Sequence, residues 1–309
     1  MASVNALKVI PPLTITDSIL TSSNVPETDY TAWSSGTTYN IGDRVRVVSI
    51  NFHKVYESLR AGNLNHDPVT DTSSPPYWIE VSATNRWNMF DSINSTQTTN
   101  TDSIVVNITP GRATTAVALL NVVGTSVRVK VTDTIEGVVY DNTVSLNNNG
   151  NINNWYNYFF DPIVRKKNVV LTDLPSYAAA SIEITITFTG DTAKCGVCVL
   201  GTVNYIGEGI ELGASVGITD YSRKEKNDFG DYILIQRSYS KRARFSMAVL
   251  NDQIDALQNL LVDLRTTPCV WIGDSNYEST IIYGFYKDFD IVISYHLVSD
   301  CNLEIEGLT

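Results

Sequence analysis

Ser181-Ile-Glu-Ile-Thr-Ile-Thr-Phe-Thr189 alternates apolar and polar residues without a break. Successive side chains of an extended strand point to opposite faces, so this run has one buried and one wet face. Its Ile and Thr residues are β-branched, which suits a pleated surface. Working outward, segments 103–109, 115–123, 126–133, 138–145 and 169–173 are rich in Val, Ile and Thr, and Gly and Asn clusters such as 147–154 part them. Short strands separated by turn signals predict a β-sandwich or jelly roll over residues 85–205.

The flanks read differently. In 206–309, segments 232–237 and 242–249 are candidate strands. Ile254, Leu257, Leu261 and Leu264, widened by Leu260, then fall at helical spacing over 252–265. Asn251 or Asp252 is the expected cap, and Pro268 follows the end. Strands are expected at 270–272, 280–286, 291–296 and 302–306. The prediction is an α+β assembly domain with one helix on an antiparallel sheet. Residues 1–28, with Pro11, Pro12 and Pro26, read as an extended arm docking on a neighbour or on its own chain. Residues 29–84 form a small aromatic β module, with strands at 44–49 and 53–59. The whole chain is therefore expected to be mainly β and multi-domain.

Composition narrows the function. The 309 residues carry 22 Lys and Arg against 33 Asp and Glu, a formal charge of -11. Nucleic-acid backbones and anionic membranes call for clustered cations, so neither is an expected partner. No apolar run reaches the ~20 residues of a membrane span, and the first residues lack the pattern of a signal peptide. Four Cys in this length is no disulfide framework.

Few constellations suggest chemistry. Cys195-Gly-Val-Cys198 lies in an apolar, β-like run and has no second Cys pair nearby, so structural burial is expected rather than zinc or redox work. Gly207, Gly209 and Gly213 do not fit the dinucleotide spacing and read as a loop between domains. Asp67 and Asp71 bracket a polar loop that fits no EF-hand pattern and read as turn residues. His53, His66 and His296 are scattered. Basic residues cluster at 222–227, read as a mobile turn, and at 241–244, read as a pairing site for acids of a neighbouring subunit. No metal, cofactor or catalytic residue is expected.

The spacing Ala32-Trp33-x5-Tyr39-x2-Gly42-Asp43-x-Val45, followed by Tyr56 and by Pro76-Tyr77-Trp78, resembles the chitin-binding type of small carbohydrate-binding module. A unit of ~50 residues has little core, so aromatic rings must supply much of its buried area. The resemblance implies that Tyr77 and Trp78, with Trp33, stack on sugar rings. The other reading makes Trp33, Tyr39, Tyr56 and Trp78 a mini-core. The family also places an aromatic before the proline of its central loop, and here 62–68 has none. In the junction that follows, Trp87 and Phe90 are expected to be buried between the first two modules, with Phe90→Ala costing ~3–5 kcal/mol.

Thr84-Asn-Arg-Trp-Asn-Met-Phe-Asp91, segment 91–99, Tyr283-Gly-Phe-Tyr-Lys-Asp-Phe289 and Leu303-Glu-Ile-Glu-Gly-Leu-Thr309 carry a wider resemblance. With Ile10-Pro-Pro-Leu-Thr-Ile-Thr-Asp17 and Thr21-Ser-Ser-Asn-Val-Pro26, they resemble a family of tailed-bacteriophage and prophage virion proteins described as carbohydrate-binding tail proteins. Segment 242–249, the helix ending near Arg265 and Trp271 also resemble the domain with which tail-tip proteins ring the tail tube. The resemblance implies a structural protein of the tail tip or baseplate, assembled in the bacterial cytoplasm and binding other tail proteins. A homo-oligomer, trimer or hexamer, would suit a tail axis, and host surface polysaccharide is a further expected contact. Two rival readings are a glycan-binding receptor-recognition protein and a capsid decoration or head-fibre protein. A depolymerase, which needs two facing carboxylates, is a distant third.

Overall fold

A computed structural model describes residues 6–147, 154–160, 164–211, 213–226, 229–275, 277–293 and 296–308. The alternating run forms the strand Ser181–Cys195, longer than its periodicity suggested. Ile182, Ile184 and Ile186 are buried while the intervening Glu and Thr are not. The strand continues beyond a register shift between Phe188 and Thr192, where Gly190 adopts φ +80°. It lies inside a five-stranded sheet ordered Gly137–Ser145, Ser126–Asp133, Ser181–Cys195, Thr98–Ile108, Leu20–Ser23.

A three-stranded sheet, Val169–Leu171, Ala116–Leu120, Val197–Gly201, faces it. Val117, Leu119, Cys198 and Leu200 join the sandwich core with Val106, Val129 and Ile184. The opposite face of the same small sheet is buried too. Ala116, Ala118, Leu120, Val197 and Val199 pack against Ile10, Val270 and Tyr283. Burial on both faces explains why Ala-Val-Ala-Leu-Leu and Val-Cys-Val-Leu-Gly are apolar almost throughout instead of alternating.

The second body is an antiparallel sheet in the order Asn204–Ile206, Leu7–Ile10, Cys269–Ile272, Ile281–Val292, Val298–Gly307, Tyr239–Leu250, Gly209–Ile210. Ser215–Asp220 also pairs with Tyr239–Leu250. The two ends of this path meet, because only Gly207 and Glu208 separate Ile206 on one edge from Gly209 on the other. The sheet therefore closes on itself. Gly207 makes the corner with φ +70°, and a Cβ there would lie 2.8 Å from the Ala248 carbonyl oxygen. Gly207 and Gly209 thus lie where the two edges of the barrel-like sheet join, and Gly213 lies in the turn before Ser215–Asp220.

Helix α2 spans Ile254–Leu264 and buries Leu257, Leu261 and Leu264 in the barrel core. Neither expected residue caps it. A 3-10 turn, Asn251–Gln253, leads in, and the Asn251 side chain accepts the Ser299 hydroxyl at 2.6 Å. The expected strand at 280–286 and the start of that at 291–296 merge into one, Ile281–Val292, with a register shift between Tyr286 and Asp288, while 294–295 lie outside the described residues. The polar run that looked like a break is its solvent-facing half.

The N-terminal arm docks on its own chain. Leu7–Ile10 is a central barrel strand between Asn204–Ile206 and Cys269–Ile272, and Leu20–Ser23 is an edge strand of the sandwich. Between them the Leu13 amide donates to the Leu200 carbonyl at 2.7 Å. Close approach is possible because Gly201 has no side chain: a Cβ there would lie 2.2 Å from the Pro11 carbonyl oxygen. Gly201→Ala is expected to cost about 1–3 kcal/mol through forced separation of the arm. Equilibrium urea unfolding measures this, and an unchanged midpoint would contradict the tight contact.

The aromatic module has a four-stranded sheet, Thr31–Ala32, Arg44–Ser49, Phe52–Ser58, Trp78–Ala83. A separate short pair joins Thr38–Tyr39 to Asn63–Leu64. No helix among the described residues is long and apolar enough to cross a membrane.

Candidate interaction surfaces

The rings expected to stack on sugar are turned to other uses. Trp78 is buried with Tyr39, Val45 and Tyr56 in the module core. Its indole nitrogen donates to the His66 carbonyl at 2.8 Å, and its ring meets Tyr39 edge-on at 5.1 Å. Trp33 packs on the rim of that core, with its indole nitrogen also buried. Tyr77 is clasped: the His66 ring stacks on it at 3.5 Å, and the Arg60 guanidinium lies 4.4 Å from its centroid. Two groups cannot share one face at those separations, so both faces are covered. The module's rings therefore form a core and its cladding: Trp78 is buried, Trp33 packs at the rim, and Tyr77 is clasped on both faces.

The junction is a polar lock around one imidazole. His53 stacks on Trp87 at 4.2 Å. Its Nδ1 is 2.7 Å from a Glu27 carboxylate oxygen, and its Nε2 is 2.9 Å from Asp17. Glu27 also accepts the Thr84 hydroxyl at 2.6 Å. The Arg86 guanidinium donates to the Val25 carbonyl at 2.9 Å. Arm, module and sandwich thus meet at one point. Trp87 is buried there, whereas Phe90 is only partly buried against the core. Met89 is the fully buried junction residue.

The candidate chemical groups are occupied structurally. Asp67 accepts the Val69 amide at 2.8 Å, and Asp71 accepts both the amide and the hydroxyl of Ser73. Hydrogen bonding from Ser73 holds the Asp71 carboxyl below the usual carboxylate range. Among the described residues, no group of three or more His, Cys, Asp or Glu is placed to hold a metal. Burial pushes the Cys195 and Cys269 thiols up to about 12 and Cys301 to about 11, with Cys198 well above its ordinary value. All four are free and buried. At pH 8 the reactive thiolate is therefore scarce, and access is blocked as well. Native protein should give no fast reaction with an aromatic disulfide reagent, and denatured protein should titrate four thiols. One fast native thiol would contradict this.

Two of the surface clefts lie beside charged groups. One of about 350 Å³ lies between sandwich and barrel and is lined in part by Asn121, Asn168, Tyr239, Lys241 and Glu278. Burial depresses the Lys241 ammonium, which donates to the Glu278 carbonyl at 3.1 Å. The other, about 490 Å³, carries Glu211 and Asp274 in its lining.

The prominent surfaces are apolar projections. Helix α1, Trp155–Phe160, follows the Asn-rich stretch 147–154, most of which (148–153) lies outside the described residues. Its Trp155, Tyr156, Phe159 and Phe160 are 78%, 69%, 68% and 71% exposed. A β-ribbon projects from the barrel, Arg223–Lys226 paired with Tyr232–Ile235. The basic cluster expected to be a mobile turn is thus a strand over Arg223–Lys226, while 227–228 lie outside the described residues. The cluster at 241–244 finds partners in its own chain: Arg244 pairs with Glu304 at 2.9 Å. Sequence reading expected a strand at 232–237 but passed over its partner strand and helix α1. The available signal was bulky apolar residues placed among turn formers, where nothing nearby could bury them.

Comparison with protein-family models, with curated proteins and with solved structures finds no match to this chain.

Proposed function

We propose that the chain is a structural component of a tailed-phage virion, positioned in the tail tip or baseplate and working by contact rather than turnover. Its partners are neighbouring tail proteins and further copies of itself. The observation that carries this reading is the pair of exposed apolar projections, helix α1 and the Tyr232–Ile235 strand, held out from two separate bodies. Soluble monomers keep such patches small, and larger ones mark contact sites. The resemblance of several segments to virion proteins supports the same reading. An electron cryo-microscopy map of the intact particle tests it. Density for this chain in a ring at the tail end is the expected result. Density on the capsid would support the decoration or head-fibre reading instead, and absence from the particle would reject both.

Glycan contact is a second reading, favoured by the exposed rings of helix α1 rather than by the aromatic module. Exposed aromatic faces are natural platforms for apolar faces of ligands. Titration with chitin oligomers, followed by tryptophan fluorescence, tests it. Binding lost in Trp155→Ala and kept in Tyr77→Ala would support the helix as the platform. Release of reducing ends during that titration would point instead to hydrolysis, with Glu211 and Asp274 the acids to examine.

A further inference from the structure

We infer that the Tyr232–Ile235 strand is a self-pairing edge, at which a second copy of this chain adds antiparallel to form a four-stranded ribbon. The ribbon has two edges of opposite character. Arg223, Lys224, Glu225 and Lys226 line one, and four successive charges guard it against strand addition. Tyr232, Ile233, Leu234 and Ile235 line the other without a charge, and are 69%, 49%, 69% and 45% exposed. Among the described residues, this strand pairs only with Arg223–Lys226, so its outer row of backbone groups is open. An open, apolar, uncharged edge is a template for another strand.

The flanking charges specify a second copy and a register. Asp231 precedes the strand and Arg237 follows it, and both are exposed. Antiparallel pairing centred on Leu234 sets Leu234 against Leu234 of the second copy. It also sets Ile233 against Ile235, Tyr232 against Gln236, and Asp231 against Arg237, at both ends by symmetry. Residues directly opposite share a face, so each face gains an apolar seam, and the two opposite-charge contacts flank the Ile233–Ile235 pairs on one of them. The charged strands become the outer edges of the new sheet, which ends further addition. A contact four residues long buries far less than the ~800 Å² per partner of a stable dimer. It therefore acts beside other contacts, and a two-fold of this kind combines with a three-fold axis in a dihedral hexamer.

The inference does not depend on the virion reading, and covalent trapping tests it. Leu234→Cys in the full chain should form a disulfide-linked dimer on mild oxidation, because the paired positions lie ~5 Å apart. Wild type, whose four thiols are buried, and Lys224→Cys should not. In the Leu234→Cys background, Asp231→Arg and Arg237→Asp should each slow trapping roughly three- to tenfold by setting like charges opposite. The double exchange should restore it. Every substituted residue is exposed, and circular dichroism verifies that each variant folds. Leu234→Cys trapping no faster than Lys224→Cys, or a double exchange no faster than the single ones, would overturn the inference.

Discussion

Trp271→Ala is expected to destabilise the protein by ~3–5 kcal/mol, the range for emptying a large buried aromatic site. Trp271 is 0% exposed and lies on the barrel strand Cys269–Ile272, directly opposite Val9 of the arm strand. Its indole nitrogen donates to the Gly284 carbonyl at 3.0 Å inside the core. Tyr286 meets its ring edge-on at 6.4 Å, and Phe289 meets Tyr286 in the same manner at 5.7 Å. Alanine would therefore leave a cavity, break a chain of ring contacts and strip a buried carbonyl of its donor. Gly284 itself packs closely on the next strand, where a Cβ would lie 2.1 Å from the Glu306 carbonyl oxygen. Urea unfolding with an intact mainly-β circular dichroism spectrum measures the loss. A cost below about 1.5 kcal/mol would mean that the barrel core is not packed around this ring.

Met89→Ala is the second large effect, expected at ~2–5 kcal/mol, and it should exceed that of Phe90→Ala. Met89 is 0% exposed and packs in the sandwich core beneath the junction. Its amide also receives support from the Thr98 hydroxyl oxygen at 2.9 Å, which fixes the backbone and limits collapse into a cavity. Phe90 is only partly buried and meets Trp87 edge-on at 5.9 Å, so its truncation removes less buried area. The ~3–5 kcal/mol expected for Phe90 from bulk alone thus belongs to its neighbour. Equal unfolding midpoints for the two variants, or the reverse order, would refute this assignment.

The aromatic module shows the same dependence on tertiary context. Sequence spacing located Trp33, Tyr39, Tyr56, Tyr77 and Trp78 in one small module, and the module core does hold Tyr39, Tyr56 and Trp78. Which rings stay open depends on residues that the motif does not specify. Arg60 and His66 cover Tyr77, and His66 comes from the 62–68 stretch that lacks the further aromatic. No spacing rule predicts that a histidine and an arginine will close the two faces of a tyrosine.

Local periodicity by itself determined the elements. The 181–189 alternation made a half-buried strand, and Ile254, Leu257, Leu261 and Leu264 made an amphipathic helix. Burial of one face per element is a property of nearest neighbours along the chain, and it is written in side-chain order. The mainly-β character and the single helix laid on a sheet follow from the same source. Tertiary structure alone decided where the elements went. Leu7–Ile10 crosses to a barrel built mostly from the last hundred residues, and Gly207 closes that barrel. Tertiary structure also decided which apolar runs would find cover. Val197–Gly201 is covered on both faces, whereas Tyr232–Ile235 is left exposed. Both runs are short and apolar, and hydrophobicity has no direction: it drives burial without naming the surface that provides it.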